Sequence, residues 1–438
     1  MSNFIIPLGD PKAADPMLCG PKTSNQAALA HAGLPTPGGF CLSAEAYNHQ
    51  LKSLGLLESA EKAVTLDFMA SRNYVSQVRI ALFSQPIVPE ILDPLLDAYR
   101  NLIAKSGNML AVRSSSLMED TEGSSFAGQF QTFLGIDKED EFITCVRACW
   151  GALWSSRAMR YMDGKDINPT DTAMAVLVQP LVQAIASGGG LSQTADGGMS
   201  VSATWGLGET IAQGEIVPDR YDLAADGTLK EITMGRKEHS INCHHHGGTT
   251  PTAQAVPADR TDQPCLNEDQ VKELAQYMKQ AEDMMNMPVE VEWAMDEAGI
   301  KMLQARPLHV EDTIIPDEIF SGRPSMRGHP GGIGWGAGRA CVVSCECEIG
   351  RVAPGDILVT KVAGPALAHI LPRVSGVVAE LGGSTSHLAS LGRERGIPMV
   401  LGVLDATNQI PDGSTVGVDG IAGVVRWIPA PKQQVQQP

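Results

Sequence analysis

Residues 376–398 restrict the fold more than any other stretch of the chain. The apolar run Gly376-Val-Val-Ala379 reads as a short buried strand. Gly382 and Gly383 then allow a sharp turn, and Ser384 or Thr385 is placed to cap a helix. Leu388 and Leu391 give that helix a buried face, and Gly396 with Pro398 stops it. His387 therefore falls in the first turn of a helix that follows a glycine turn. Free backbone N–H groups and the positive dipole end disfavour imidazolium there and welcome an anion. A neutral imidazole beside an anion hole is the chemistry of a phosphoryl-accepting histidine. A histidine that only helps to cap its own helix would carry the same local sequence.

Chain length and charge narrow the remaining classes. The 438 residues can hold two or three domains, each with its own core. A net charge of -17 argues against nonspecific nucleic-acid binding, yet is compatible with a nucleotide site where Lys and Arg concentrate locally. No apolar run approaches the length of a membrane span, and the N-terminus lacks a secretion-signal pattern. The nine cysteines are scattered and odd in number, which suits reduced thiols. A cytoplasmic protein with no membrane or nucleic-acid partner is expected. Cys345-Glu-Cys347 is too close a pair for the usual zinc spacing, and His244-His245-His246 sits in a Gly/Thr/Pro-rich stretch that reads as an exposed loop.

Residues 1–308 alternate helical and strand patterns. Residues 309–325 carry charges, two prolines and little periodicity, the composition of a hinge linker. Short strands, many glycines and the His387 helix fill 326–430 and suggest a small α/β domain, and 431–438 reads as a disordered tail.

Four segments of the first part can hold a nucleotide. Lys22 follows a Gly-Pro turn at the start of a helix, where it can meet phosphate as a point charge. A strand delivers Arg113, and Gly123 to Gly128 form a Ser/Gly loop able to offer donors to phosphate. Met174 to Val182 reads as a buried strand carrying Gln179. Val289–Ala294 and Lys301–Arg306 form a hairpin. Alternation puts Glu290 and Glu292 on one face, and Gln304 and Arg306 on one face of the partner strand, with Glu292 nearly opposite Gln304. Grouped oxygen donors suit Mg²⁺, and a neighbouring Arg suits phosphate. A solvent-facing polar sheet is the competing reading, above all for Glu290.

These segments together resemble the phosphoenolpyruvate synthase, pyruvate phosphate dikinase and rifampicin phosphotransferase family. The resemblance is carried by Gly382-Gly-Ser-Thr-Ser-His387 with a helix ending in Arg393-Glu-Arg-Gly-Ile-Pro398. It is also carried by Lys22 before Gly33-Leu-Pro-Thr-Pro-Gly-Gly-Phe40, by Val112-Arg-Ser-Ser115 and by Ser125-Phe-Ala-Gly-Gln129. Trp205-Gly-Leu-Gly-Glu209, Gln213-Gly-Glu-Ile-Val-Pro-Asp219, Val291-Glu-Trp293 and Leu303-Gln-Ala-Arg-Pro307 complete it. The sequence departs from the family at Pro21, which replaces a glycine. It departs again at Gly188-Gly-Gly-Leu-Ser-Gln-Thr194, which replaces a Gly-x-x-Phe-Thr segment, and just after His387.

The resemblance implies an α/β (α+β) protein: a dikinase-type ATP-grasp domain followed by a small phosphohistidine swivelling domain. It implies ATP and Mg²⁺ as cofactors and His387 as the catalytic nucleophile. Nucleotide contacts fall to Lys22, Arg113, Gln129, Gln179, Glu209, Gln213 and Arg306, and the metal to Glu292 and Gln304. Full-length family members also hold an acceptor-binding domain, at the C-terminus in the synthases and between the two halves in rifampicin phosphotransferase. Here the linker joins the halves directly. The expected partner is thus a separate acceptor-binding subunit presenting a small molecule, a phenol or alcohol, as in multi-component phenol-phosphorylating enzymes. Two other classes stay open: a complete single-chain small-molecule kinase with its acceptor in the interdomain cleft, and a phosphocarrier or regulator.

Overall fold

Alternating apolar strands and amphipathic helices build three large sheets, each with its own core. The computed structural model describes residues 4–66, 68–107, 109–119, 130, 132–163, 167–194, 196–242, 252–308, 320, 322–361 and 365–428. The loop 123–128, Gln129, His244–His246, most of the expected linker and the tail lie outside the described residues.

The first sheet has five strands in the order Ile5–Pro7, Phe40–Leu42, Met174–Pro180, Leu110–Ser116, Thr132–Ile136. Helices from Ala44 to Ala152 cover it and fill a core around Tyr47, Phe142, Trp150 and Trp154. Buried aromatics with polar handles need partners there, and Trp154 Nε1 donates to Tyr47 Oη at 2.7 Å.

The second sheet is six-stranded and antiparallel throughout, ordered Gly299–Pro307, Val289–Asp296, Ala186–Leu191, Met199–Trp205, Asp219–Leu223, Leu229–Thr233. The expected hairpin is present, and Glu292 pairs with Gln304 as strand alternation requires. The Glu268–Met285 helix packs Val271, Leu274, Ala275, Met278 and Ala281 at helical spacing into the core of this sheet. Its start is fixed by a reciprocal Asn267–Gln270 capping box.

The third sheet has eight strands. Trp335–Val343, Ile357–Thr360, Gly376–Ala379 and Met399–Leu401 run parallel to one another. Every residue of Gly376–Ala379 is buried, as a parallel strand between two neighbours requires. The His387–Glu394 helix forms the crossover from that strand to Met399–Leu401. His387 is thereby placed beyond the carboxyl end of a central parallel strand, at a helix N-terminus. Phe320, inside the stretch expected as linker, is 3% exposed and packs edge-on to Trp335, so this point of the stretch is anchored on the third sheet.

Candidate active site

A cavity of about 310 Å³ opens between the first two sheets, and the His387 helix closes it. Lys22, Arg113, Gln179, Glu209, Gln213, Glu292, Gln304, Arg306 and His387 all line it. Residues spread over the whole chain thus share one cavity. Gln129 lies outside the described residues.

Lys22 reaches the cavity through a break in its helix. Gly20 has φ +74, and a Cβ there would stand 2.5 Å from the Ser115 carbonyl oxygen. Only glycine lets the helix start lie this close to the Leu110–Ser116 strand. Lys22 is 8% exposed, and its Nζ donates to Ser114 O at 3.0 Å and to Glu119 Oε1 at 2.9 Å. Arg113 spans the gap between the sheets. Its Nη2 donates to Glu292 Oε2 at 2.8 Å and to Gln304 Oε1 at 3.3 Å, and its Nη1 to Leu303 O at 3.2 Å.

Glu290 excludes the competing reading of a solvent-facing sheet. It is 5% exposed and forms no solvent-facing surface. Arg306 Nη2 lies 2.9 Å from it, and Arg393 Nη2 donates to it at 2.6 Å from the histidine helix. Burial would raise its carboxyl, but the charges of Arg306 and Arg393 outweigh burial and hold it near 2, against an ordinary 4.5. A depressed folded-state pKa stabilises the fold fully above the unfolded value and is lost as pH falls through the folded one. The stability difference between the native protein and Glu290→Gln should therefore be flat above about pH 5. It should shrink by roughly 3 kcal/mol towards pH 2, as read by denaturant unfolding across pH. A flat difference across the whole range would mean that the ion pairs do not form.

Glu292 faces the cavity, with its side chain 44% exposed. Partial desolvation inside the cavity raises its carboxyl, but Arg113 and Arg306 pull it below the ordinary value. Glu209 is the opposite case: burial raises it, Arg113 offsets this in part, and its Oε2 has no hydrogen-bond partner among the described residues. Two carboxylates and the Gln304 amide oxygen therefore line one cavity, one of them with an orphaned oxygen. That hard-oxygen set fits Mg²⁺. No cluster of three or more His, Cys, Asp or Glu suited to a metal occurs among the described residues. Gln179 is 2% exposed and is fixed by donation to Gly38 O at 3.1 Å, whereas Gln213 is exposed at the rim. Ala111, Leu134, Leu181 and Leu207 add an apolar wall of the kind a purine base needs.

Ser386 caps the histidine helix, in place of the expected Ser384 or Thr385, by accepting from Ala389 N at 3.2 Å. Ser384 is instead turned to the second sheet, with its Oγ 3.1 Å from Ser202 Oγ. Gly382 N donates to Ile216 O at 2.9 Å. Burial lowers the His387 pKa below 6.5, Glu292 opposes this, and Arg306 and Lys22 lower it further. The imidazole is thus neutral at pH 7, with a lone pair to give. The unusual glycine run found in the sequence lies under this loop. A Cβ on Gly189 would stand 2.5–2.7 Å from the Thr385 side chain. Gly189→Ala should therefore slow modification of His387 by about tenfold or more while nucleotide affinity stays within about twofold, measured by labelling and by titration. An unchanged labelling rate would show that the loop can seat without this gap.

Glu119 also lines the cavity, and Ser390, Arg393, Glu394 and Tyr161 tie the histidine helix to its surroundings; sequence reasoning did not select them. Arg393 and Glu394 stood in the quoted helix-ending motif, and Glu119 lies just after the Arg113 strand. Nothing local marks Tyr161.

The comparisons with known proteins agree with this geometry. The family model for the pyruvate phosphate dikinase AMP/ATP-binding domain matches residues 17–322, and that for the mobile domain of PEP-utilising enzymes matches 352–423. The chain belongs to the pyruvate phosphate dikinase family, pairing its AMP/ATP-binding domain with the mobile domain of PEP-utilising enzymes. The resemblance read from the motifs and the mixed α/β class both hold. Among its relatives, the phosphoenolpyruvate synthase of Escherichia coli is 31% identical over 426 residues, covering 91% of this chain and 54% of that protein. The probable phosphoenolpyruvate synthase of Pyrococcus horikoshii is 30% identical over 467 residues, covering 94% and 56%. The phosphoenolpyruvate synthase of Aeropyrum pernix is 30% identical over 459 residues, covering 93% and 56%. The chain spans little more than half the length of these relatives. No helix among the described residues is long and apolar enough to cross a membrane. Cys345 is disulfide-bonded, so the expectation of reduced thiols does not extend to it, while six buried cysteines are free.

Proposed function

We propose that this chain is an ATP-dependent phosphotransferase that loads His387 from the β-phosphate of ATP. The observation that carries the reading is the neutral, half-buried imidazole of His387 in the same cavity as Lys22, Arg113 and Arg306. ATP lies between the first two sheets of an ATP-grasp domain, residues 1–308. Lys22, Arg113 and Arg306 take the phosphates, Gln179 and the apolar wall take the base, and Gln129, Glu209 and Gln213 complete the nucleotide contacts. Glu292 and Gln304, with Glu209 in reach, would hold Mg²⁺, which when bound would supply charge neutralisation on the phosphate oxygens. An imidazole nitrogen attacks the β-phosphorus in line. The bond from that phosphorus to the α–β bridging oxygen breaks, and AMP leaves with the electron pair. Water then cleaves the β–γ link, inorganic phosphate departs, and phospho-His387 remains. Such a transfer needs positioning and charge neutralisation above all, and the histidine splits one transfer into two.

The acceptor is proposed to be a small phenol or alcohol bound on a separate subunit. Residues 309–325 act as hinge and 326–430 as the swivelling domain. Support comes from the direct junction of the two halves, where only this short stretch intervenes. Transfer away from the ATP cavity also keeps the phosphohistidine from the hydrolytic site. ATP labelled at the β-position should leave acid-labile, base-stable label on the protein, and γ-label should appear as free phosphate. The chain alone should stop after about one turnover per site and resume only when partner and acceptor are both added. Steady phosphorylation of a small acceptor by the chain alone would overturn the partner and favour a complete kinase.

A further inference from the structure

The last turn of the histidine helix touches both walls of the cavity. Arg393 Nη2 donates to Glu290 Oε2 at 2.6 Å, and Glu290 belongs to the Val289–Asp296 strand of the six-stranded sheet. The next residue, Glu394, accepts from Tyr161 Oη at 2.5 Å. Tyr161 sits on the Ser156–Asp163 helix, whose buried face with Ala158 and Met162 belongs to the core of the five-stranded sheet. Arg393 also donates from Nη1 to Ser384 O at 2.6 Å, so the same guanidinium holds the loop that leads into His387.

We infer that Arg393 and Glu394 form a two-point latch that positions His387 only when the two walls of the nucleotide cavity have closed towards each other. The phosphoryl-transfer part of this inference rests on the function proposed above. The physical argument is one of reach. Adjacent Cα atoms stand about 3.8 Å apart and cannot stretch. A hydrogen bond is gone once donor and acceptor part beyond about 3.5 Å. A separation of the walls by more than these side chains can follow by rotation therefore breaks one of the two contacts, and the helix can keep only the other. Both contacts together report that the walls stand at the spacing seen here. Because Ser384 hangs on Arg393, loss of the Glu290 contact also frees the loop before His387. Tyr161 and Glu394 do not line the cavity, so they are positioning residues.

The test compares Tyr161→Phe and Glu394→Ala with the unmodified chain. Hydrogen exchange of residues 387–394 is followed with and without α,β-methylene-ATP, whose α–β link cannot be cleaved. The native chain should gain protection there on binding the analogue, and both variants should gain much less. Single-turnover formation of phosphohistidine should slow by about tenfold in each, and affinity for the analogue should fall by a smaller factor, since a latch that closes on binding contributes to binding. The double variant should be no slower than the slower single one, since both remove the same contact. Glu394→Gln, which keeps an acceptor oxygen, should restore part of the rate. Native protection in both variants would overturn the latch, and so would multiplying rate losses in the double variant. If the native chain forms no phosphohistidine, the proposed function fails, and the exchange experiment still decides the latch.

Discussion

Replacing His387 by alanine is expected to remove all acid-labile phosphoryl label from the protein while nucleotide affinity stays within about twofold. The cationic groups, the oxygen donors and the apolar wall all belong to residues before 308 and none to the histidine helix, so the cavity loses only its nucleophile. The same residue should govern the acid limb of the loading rate. Burial sets its pKa below 6.5, and only the neutral imidazole has a lone pair to give. The rate should therefore hold as pH falls to about 6.5 and decline only below it, tending to tenfold per pH unit. Label that persists in His387→Ala would remove the assignment. A rate already falling at pH 7.5 would contradict a neutral histidine.

Glu292→Ala is expected to slow loading by about a hundredfold or more, with a smaller change in ATP affinity. The split follows from the position of Arg113, whose guanidinium is engaged by Glu292 and Gln304. Truncating Glu292 removes an anionic oxygen donor suited to Mg²⁺ and at the same time frees a cation to hold phosphate. Ground-state binding is thereby partly compensated, while the charge that must be neutralised during transfer is not. Raising the Mg²⁺ concentration should recover part of the rate if the lost oxygen is a metal ligand. Near-native loading in Glu292→Ala would return the hairpin to a purely structural part.

Much of the site could be read from sequence because its signals are local. The strand Gly376–Ala379, the turn after it and the helix start at His387 are set by a few neighbouring residues. The pairing of Glu292 with Gln304 follows from strand alternation folded about one short turn. Even so, local reading chose the wrong cap. Ser384, Thr385 and Ser386 are all competent, and Ser386 caps because Ser384 is drawn to Ser202 on another sheet.

The sequence by itself determined the α/β class, the hairpin and the residue types that carry charge and nucleophilicity, since these depend on period, turn chemistry and side-chain identity. Only the tertiary structure decided which charges are buried and whom they face. The strand pattern leaves open whether Glu290 faces solvent; Arg393, 103 residues further on, reaches it and makes it a buried anchor. Tyr161 and Glu394 are separated by 233 residues and meet in the same way. Burial and ion pairing depend on distances between elements, and packing sets those distances by closing the two walls around a cavity and laying the histidine helix across it.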